Sequence, residues 1–223
     1  TVGLIVANAI VWFWELKNPG VDYHVAKDGY YPCTFQGPCE AVQIGGTVFR
    51  HHLAWWEGAF TCMFMHGSWI HILGNMLFLW IFGNNVEDAL GKVRFLLWYL
   101  AAGLAATALQ TFVTLQFGTV RDASIPNIGA SGAIAGVLGA YILLLPRARV
   151  LTVIFFGLIF LREIPAGWFL GIWIALQAWQ GGIGLTHPDQ TGGVAVFAHI
   201  GGFAFGLLTV FLVAKRRPLQ PTY

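Results

Sequence analysis

The sequence predicts an all-α membrane protein, folded as one bundle of six transmembrane helices with a long first outer loop. Of its 223 residues, 57% are hydrophobic and only 10% are charged, and the mean hydropathy is +0.68. Soluble domains carry about 25% charged residues, so lipid is the expected surrounding of this chain. The net charge of +2 does not favour a nucleic-acid partner. No polar stretch is long enough for a second domain, so residues 1–223 are expected to form a single domain.

Six apolar runs account for the predicted helices. Most have the ~17–25 residues that a helix needs to cross a bilayer. They are residues 1–16, 60–82, 93–117, 128–145, 165–180 and 194–214. The first run begins without a methionine, so the N-terminus is expected to be truncated. A further apolar stretch, residues 150–161, is too short to span and is expected to be an interfacial or half-inserted connector.

The distribution of cations orients the bundle. Eight of the twelve Lys and Arg residues lie in the connections after the second and fourth spans or in the C-terminal tail. Cytoplasmic loops of membrane proteins carry the excess of Lys and Arg, so the C-terminus is expected in the cytoplasm. Six spans return the N-terminus to the same side, which places the loop 17–59 outside.

Two cysteines lie in this outer loop. Cys33 and Cys39 are separated by five residues, and on an oxidising face they are expected to form a disulfide. Two free thiols are the alternative. A zinc site is a second alternative, and it would need further ligands from His24, His51 and His52 of the same loop.

Polar residues recur in the first third of three spans. The second span contains His66, His71 and Asn75, the fourth contains Ser131, and the sixth contains His199. These spans run in the same direction, so their polar groups are expected at a similar depth near the outer face. Such groups are rare within membrane spans and mark functional sites by default. No Asp or Glu lies at this level, so a carboxylate-bridged metal site and a full Ser-His-Asp triad lack their usual parts.

A hydroxyl and an imidazole at one depth are typical of a nucleophile and its base. A serine attacks once a base accepts its proton, and His199 can do so at neutral pH. Attack of Ser131 on a peptide carbonyl produces an oxyanion, which needs fixed hydrogen-bond donors. The N–H groups at the start of the fourth span can supply them. His71 and Asn75, four residues apart on one helix face, can add side-chain donors.

Nearby residues are expected to support this pair. Gly129 and Gly132 keep Cβ atoms away from the serine, so that a substrate backbone can approach. Gly202 and Gly206 form a pair of small residues that packs the sixth span against the fourth. His66, five residues before the second histidine, is expected to point away from it around the helix, which disfavours a zinc pair. Taken alone, each serine or histidine is more often a packing or back-bonded residue.

Three segments that carry these residues resemble the signature segments of the rhomboid family of intramembrane serine proteases. They are HGSWIHILGN at residues 66–75, GASG at residues 129–132 and AHIGGFAFG at residues 198–206. They occur in the order and on the spans that the family uses. The resemblance implies a rhomboid-like bundle of six transmembrane helices, with its active site opening to the outer face. It also implies cleavage of transmembrane protein substrates among membrane lipids, without a metal or cofactor.

The resemblance also implies a role for each residue. Ser131 corresponds to the nucleophile and His199 to the base, while Asn75, His71 and the N–H of Ser131 correspond to the oxyanion hole. His66 is implied to have a supporting, structural role. One position departs from the family pattern. Four residues after the serine, where the family often has an aromatic residue that packs against the base, this chain has Ala135. Phe197 or Phe203, on the sixth span, is expected to pack against the base instead.

Two other classes of protein are weighed against this interpretation. A catalytically inactive rhomboid-like protein that binds membrane clients is the main alternative. Such a protein is expected to lack the serine or the histidine, and this chain has both. A small transporter is expected to contain inverted repeats with paired broken helices, and the sequence has no sign of them.

Overall fold

The computed structural model describes residues 1–17, 19–44, 47–49, 53–156, 158–186 and 195–215, and their fold is mostly helical. The helices are α1 (Val2–Glu15), α2 (Val21–Asp28), α3 (Trp55–Thr61), α4 (Trp69–Leu90), α5 (Lys92–Phe117), α6 (Val120–Ala123), α7 (Ser131–Leu144), α8 (Ala166–Thr186) and α9 (Val196–Val213). Single 3₁₀ turns lie at Pro32–Thr34 and Cys62–Phe64. Two antiparallel hairpins complete the described elements, β1 (Val42–Ile44) with β2 (Thr47–Phe49), and β3 (Arg149–Phe156) with β4 (Leu158–Pro165).

The six predicted spans correspond in order to α1, α4, α5, α7, α8 and α9. Within the described ranges, α5 and α9 are each long and apolar enough to cross a membrane. The segment Trp55–Phe64 and α4 would together make a third crossing, with a bend of 82° between them. α1 and α7 have 14 residues each, fewer than the ~17 of a full crossing. Of the six predicted crossings, two or three are therefore long and apolar enough to span a membrane.

The predicted second span, residues 60–82, has the wrong boundaries because the chain turns sharply before α4. Ser68 caps α4, and its Oγ accepts a hydrogen bond from the N–H of His71 at 3.2 Å. A serine in this position satisfies an N–H that has no partner within the helix. At the other end α4 continues to Leu90, and Gly91 follows with a φ of +86°. Glycine adopts this left-handed conformation without steric cost, so the helix ends there.

The expected connector at residues 150–161 is a β-hairpin between α7 and α8. β3 and β4 pair in register from Arg149 opposite Pro165 to Phe156 opposite Leu158. The sequence VLTVIFF within β3 is rich in β-branched and aromatic residues, which fit a pleated strand better than a helix. The hairpin thus connects the C-terminal end of α7 to the N-terminal end of α8.

In the loop after α1, the structure joins Cys33 and Cys39 in a disulfide, with their Cα atoms 5.3 Å apart. Cys33 is buried and packs with Tyr31 and Ala123, so the bonded loop lies against α6. The bond leaves neither thiol free to bind zinc. His51 and His52, the other ligands of the zinc alternative, lie outside the described residues. Among the residues that are described, no group of three or more His, Cys, Asp or Glu could hold a metal ion.

The core is centred on α7. Every residue from 132 to 141 is buried, with α4, α5, α8 and α9 around it. The backbones of α7 and α9 approach so closely that a Cβ at Gly202 would overlap the carbonyl oxygen of Gly132, and one at Gly206 would overlap that of Gly136. Small residues are what allow membrane helices this separation. The predicted packing of the sixth span against the fourth is therefore confirmed, and it brings the first turns of α7 and α9 together.

Candidate active site

Ser131 and His199 meet where α7 and α9 begin. Ser131 is the first residue of α7 and His199 lies in the first turn of α9. The Oγ of Ser131 lies 2.8 Å from Nε2 of His199, within hydrogen-bonding distance. The structure therefore brings together the two residues that the sequence places at one depth on different spans.

The second ring nitrogen of His199 is held by a residue that the sequence analysis missed. Nδ1 lies 2.6 Å from the side-chain oxygen Oε1 of Gln177, on α8. An amide oxygen only accepts hydrogen bonds, so Nδ1 carries the ring hydrogen and donates it. Nε2 is then unprotonated in the neutral ring and accepts the hydrogen of the Ser131 hydroxyl. This is the tautomer that a general base for serine requires.

The aromatic ring that lies against His199 comes from α8, not from the sixth span as the sequence analysis expected. Trp173 has its ring centroid 5.7 Å from that of His199, at an angle of 43°. The ring centroid of Phe203 in turn lies 6.1 Å from that of Trp173. Ala135 is fully buried and lines the same cavity as Trp173. Trp173 and Gln177 are four residues apart, a spacing that puts both on one face of α8.

His71 and Asn75 lie on α4 and face the same cavity as Ser131. Nδ1 of His71 accepts a long hydrogen bond of 3.4 Å from the N–H of Gly67, so in the neutral ring Nε2 carries the hydrogen. Asn75 is 9% exposed, and its amide nitrogen has no hydrogen-bond partner in the part of the chain that the structure describes. An unpartnered buried donor is costly unless a ligand satisfies it. Both side chains therefore line the cavity, and each carries a hydrogen-bond donor.

The two glycines beside Ser131 have different roles from the one expected for them. Gly129 has a φ of +117°, and a Cβ there would lie 2.7 Å from Nε2 of His71. A Cβ at Gly132 would lie 2.7 Å from the Cβ of Ala106 on α5. The space beside each glycine is thus filled by the protein itself, not kept open for a substrate. Gly129 admits the His71 ring to the site, and Gly132 allows α7 to pack on α5.

His66 does not point away from His71, so the expected separation of these two rings is wrong. Their centroids are 5.0 Å apart in an edge-to-face contact, because His66 precedes the cap of α4 and is not on the helix. His66 is fully buried, and its Nδ1 donates to the carbonyl of Phe64 at 3.2 Å. Its backbone N–H donates to the buried carboxylate of Glu15, at 3.2 Å from each oxygen. These contacts fasten the turn before α4 to the end of α1.

A cavity of about 600 Å³ joins these groups. Its polar lining includes Ser131, His199, His71 and Asn75, together with Ser68 and Asn127. The rest of its wall is largely apolar and includes Phe78, Ile134, Ala135, Leu138 and Trp173. A nucleophile, its base and two candidate oxyanion donors therefore open into one space that is large enough for several residues of an extended peptide.

Comparison with known proteins agrees with the motifs. The Rhomboid domain family matches residues 52–216. The chain is 32% identical over 163 residues to Presenilin-associated rhomboid-like protein A, mitochondrial, of Danio rerio, covering 70% of this chain and 38% of that protein. It is 30% identical over 155 residues to Rhomboid protein 1, mitochondrial, of Saccharomyces cerevisiae, covering 68% of this chain and 40% of that protein. It is 32% identical over 176 residues to RHOMBOID-like protein 1 of Arabidopsis thaliana, covering 79% of this chain and 38% of that protein. The chain spans about two fifths of the length of these curated relatives.

A mostly helical fold with apolar helices of membrane-spanning length defines an integral membrane protein. The Rhomboid domain match covers most of its length, and the chain therefore belongs to the rhomboid family. The rhomboid family that the sequence indicates is thereby confirmed.

Proposed function

We propose that this protein is an intramembrane serine endopeptidase that cleaves transmembrane proteins with a dyad of Ser131 and His199. The observation that carries the proposal is the 2.8 Å contact between Ser131 Oγ and His199 Nε2 at the wall of a cavity that also presents His71 and Asn75. The family is consistent with this activity. Peptide hydrolysis by such a dyad requires no metal or cofactor.

In the first half of the reaction, Ser131 Oγ attacks the carbonyl carbon of the scissile bond while His199 Nε2 takes the hydroxyl proton. The carbonyl electron pair moves onto oxygen and forms a tetrahedral oxyanion. His199 then gives its proton to the amide nitrogen, the C–N bond breaks, and the acyl group remains on Ser131. In the second half, water loses a proton to His199 and attacks the ester carbonyl carbon, which forms a second tetrahedral oxyanion. The C–O bond to Ser131 then breaks, the carboxylic acid product leaves, and the Ser131 oxygen takes the proton back from His199.

The oxyanion is stabilised by donors on two helices. The first N–H groups of α7 have no intrahelical partners and lie beside the nucleophile. Asn75 Nδ2 and His71 Nε2 add donors from α4. Donors held in place before the reaction stabilise the developing charge without reorganising, which is often the largest single contribution to catalysis.

The proposed topology has six crossings, with both termini in the cytoplasm and the loop 17–59 outside. The excess of Lys and Arg in the connections after the second and fourth spans supports it. Ser131, His199 and Asn75 all lie within the first two turns of their helices, which supports a site near the outer end of the bundle in this topology. The short α7 would reach part of the way through the bilayer, with water above its first residue.

Asn75→Ala is expected to fold and to react more slowly, by roughly 10²–10³-fold in kcat, if the Asn75 amide is a principal oxyanion donor. Initial rates of cleavage of a model transmembrane substrate in proteoliposomes measure this. Asn84→Ala is the matched control, because Asn84 is on the same helix and, in the described part of the chain, its side-chain amide donates to the carbonyl of Trp80 in its own turn. Equal rates for Asn75→Ala and Asn84→Ala would assign Asn75 a packing role.

The depth of the site predicts where a substrate is cut. Ser131 is the first residue of α7, so we expect it to lie close to the outer boundary of the membrane. A substrate helix hides its carbonyls in hydrogen bonds and must unwind locally before attack. We therefore expect cleavage near the outer end of the substrate's membrane segment, at a small residue beside Gly or Pro. Mass spectrometry of the product ends tests this.

The control for that experiment is Ser131→Ala, which is expected to yield no product of the same mass. Cuts that cluster at the cytoplasmic end would contradict both the topology and the depth of the site. Substrate that co-purifies uncut with the wild-type protein would favour the alternative, a catalytically inactive rhomboid-like protein that binds membrane clients.

A further inference from the structure

We infer that Gln177 is a positioning residue for His199, which sets the tautomer and the ring orientation of the base through the hydrogen bond that Nδ1 donates to Oε1. The inference rests on the proposed function, because it assigns the base of that reaction a third partner. It does not depend on any motif of the sequence. It follows from the 2.6 Å contact between α8 and α9.

The His199 ring has two hydrogen bonds in the described part of the chain, and together they use both of its nitrogens. Nε2 faces Ser131 Oγ at 2.8 Å and Nδ1 faces Gln177 Oε1 at 2.6 Å. A neutral imidazole holds one hydrogen, which either nitrogen can carry. With an acceptor at Nδ1, the hydrogen stays there and Nε2 is free to take the proton of Ser131. Without that acceptor, the ring can carry its hydrogen on Nε2, which makes it a donor to Ser131 and useless as a base.

Gln177 stands where other serine hydrolases have a carboxylate. In those enzymes an acidic side chain accepts from the second nitrogen of the histidine, and its loss leaves the wrong tautomer. Both ring partners here are uncharged side chains. The amide of Gln177 orients the His199 ring, and it stabilises the protonated ring less than a carboxylate would.

The same helix provides a second constraint on the ring. Trp173 lies one turn before Gln177 and places its own ring 5.7 Å from that of His199. The opposite face of α8 is exposed, with Trp168 and Trp179 each 71% accessible, so α8 contacts the rest of the described bundle along one side. The nucleophile, the base and the group that orients the base thus lie on three different helices, α7, α9 and α8. The alignment of the dyad therefore depends on the position of α8.

Gln177→Leu removes the acceptor with little change of volume, and Gln177→Glu retains an acceptor oxygen at nearly the same place. We expect Gln177→Leu to lower kcat by about 10–100-fold, less than the ~10⁴-fold loss when a triad carboxylate is made an amide. KM should change by less than about twofold, because the contact is to the base and not to the substrate. Gln177→Glu should recover kcat to within about threefold of wild type, since it restores the bond. Gln180→Leu is the matched control, on an exposed position of the same helix.

The second readout is the tautomer itself, which a merely structural role would leave unchanged. Ring-¹⁵N-labelled histidine, with His199 assigned by comparison with His199→Ala, reports which nitrogen is protonated in the neutral ring. We expect the hydrogen on Nδ1 in wild type and in Gln177→Glu, and a mixture of both tautomers in Gln177→Leu. The spectrum requires no turnover, so it tests Gln177 even if the protein proves not to be a protease.

Three outcomes would overturn the inference. They are a wild-type ring protonated on Nε2, a Gln177→Leu variant with unchanged kcat, and a Gln177→Glu variant as slow as Gln177→Leu. If Gln177→Leu fails to fold by size exclusion and thermal unfolding, the wild-type spectrum and the rate of Gln177→Glu still decide the question. If wild type cleaves nothing but shows the Nδ1-protonated tautomer, the proposed function fails and the positioning contact stands.

Discussion

Ser131→Ala and His199→Ala are each expected to reduce cleavage of a transmembrane substrate to background, a loss of at least about 10³-fold in kcat. The reason is that Ser131 forms the covalent bond and His199 moves its proton in both halves of the reaction, across a single 2.8 Å contact. Residues that act as one unit are not additive, so the double variant should be no slower than either single one. Initial rates in proteoliposomes, with the purified variants at equal concentration, measure this.

Ser124→Ala is the control for those variants. Ser124 lies after α6, where its hydroxyl bonds to the carbonyl of Val120 and the N–H of Glu40, away from the cavity. The Ser124→Ala variant should remain active. That result would show that loss of a buried serine hydroxyl does not by itself stop the reaction. Cleavage by Ser131→Ala at more than a trace of the wild-type rate would show that Ser131 is not the nucleophile.

Gly202→Ala is expected to lower both activity and stability, although it adds only one methyl group. Its Cβ would overlap the carbonyl oxygen of Gly132, a backbone atom that cannot rotate away. Overpacking of this kind costs about 1–3 kcal/mol. If α7 and α9 separate by about 1 Å to relieve it, Ser131 and His199 lose their alignment, for which a rate loss of about 10²-fold is expected. Cleavage rates and thermal unfolding of the purified variant give both quantities.

Gly171→Ala is the matched control for this substitution. Gly171 is also within a helix, α8, but a Cβ there meets nothing within 4 Å. Alanine in a helix is favoured over glycine by roughly 0.5–1 kcal/mol, so this variant should be as active as wild type and at least as stable. If the two variants behave alike, close packing of α7 on α9 is not what aligns the dyad.

The sequence indicated the central part of the candidate site because the signals were local. The small residues at Gly202 and Gly206 predicted that α9 packs on α7, and the glycine contacts agree. Given that packing, the place of Ser131 and His199 near the start of their spans was enough to predict that they meet. The spacing of His71 and Asn75 likewise put them on one face of α4, where both line the cavity.

The errors arose where a local pattern did not determine the backbone. The apolar run at residues 60–82 predicts one continuous helix, but Ser68 caps a new helix after a sharp turn. The predicted position of the His66 ring is wrong for this reason. The β-hairpin after α7 was missed because a short apolar stretch fits a buried helix segment or a strand equally well. The buried carboxylate of Glu15 contacts a residue 51 positions away, a pairing that no spacing in the sequence indicates.

Gln177 and Trp173 were missed for a different reason. The polar residues sought within the spans were ionisable groups and those of the three motifs, and a neutral glutamine in the fifth span was not among them. Yet a polar side chain in an apolar helix is itself a signal. The spacing of four from Trp173 predicts that the two share a face of α8, and in the structure both contact His199.

The most direct measurement of the central claim is covalent labelling by a fluorophosphonate probe, which reacts with a serine only when a base activates it. Wild-type protein in native-like lipid should be labelled, and peptide mapping should place the adduct on Ser131. Ser131→Ala and His199→Ala should remain unlabelled, while Ser124→Ala and Gly171→Ala should be labelled as wild type. An unlabelled wild-type protein that is folded, or a probe that maps to a residue other than Ser131, would contradict the assignment of the dyad.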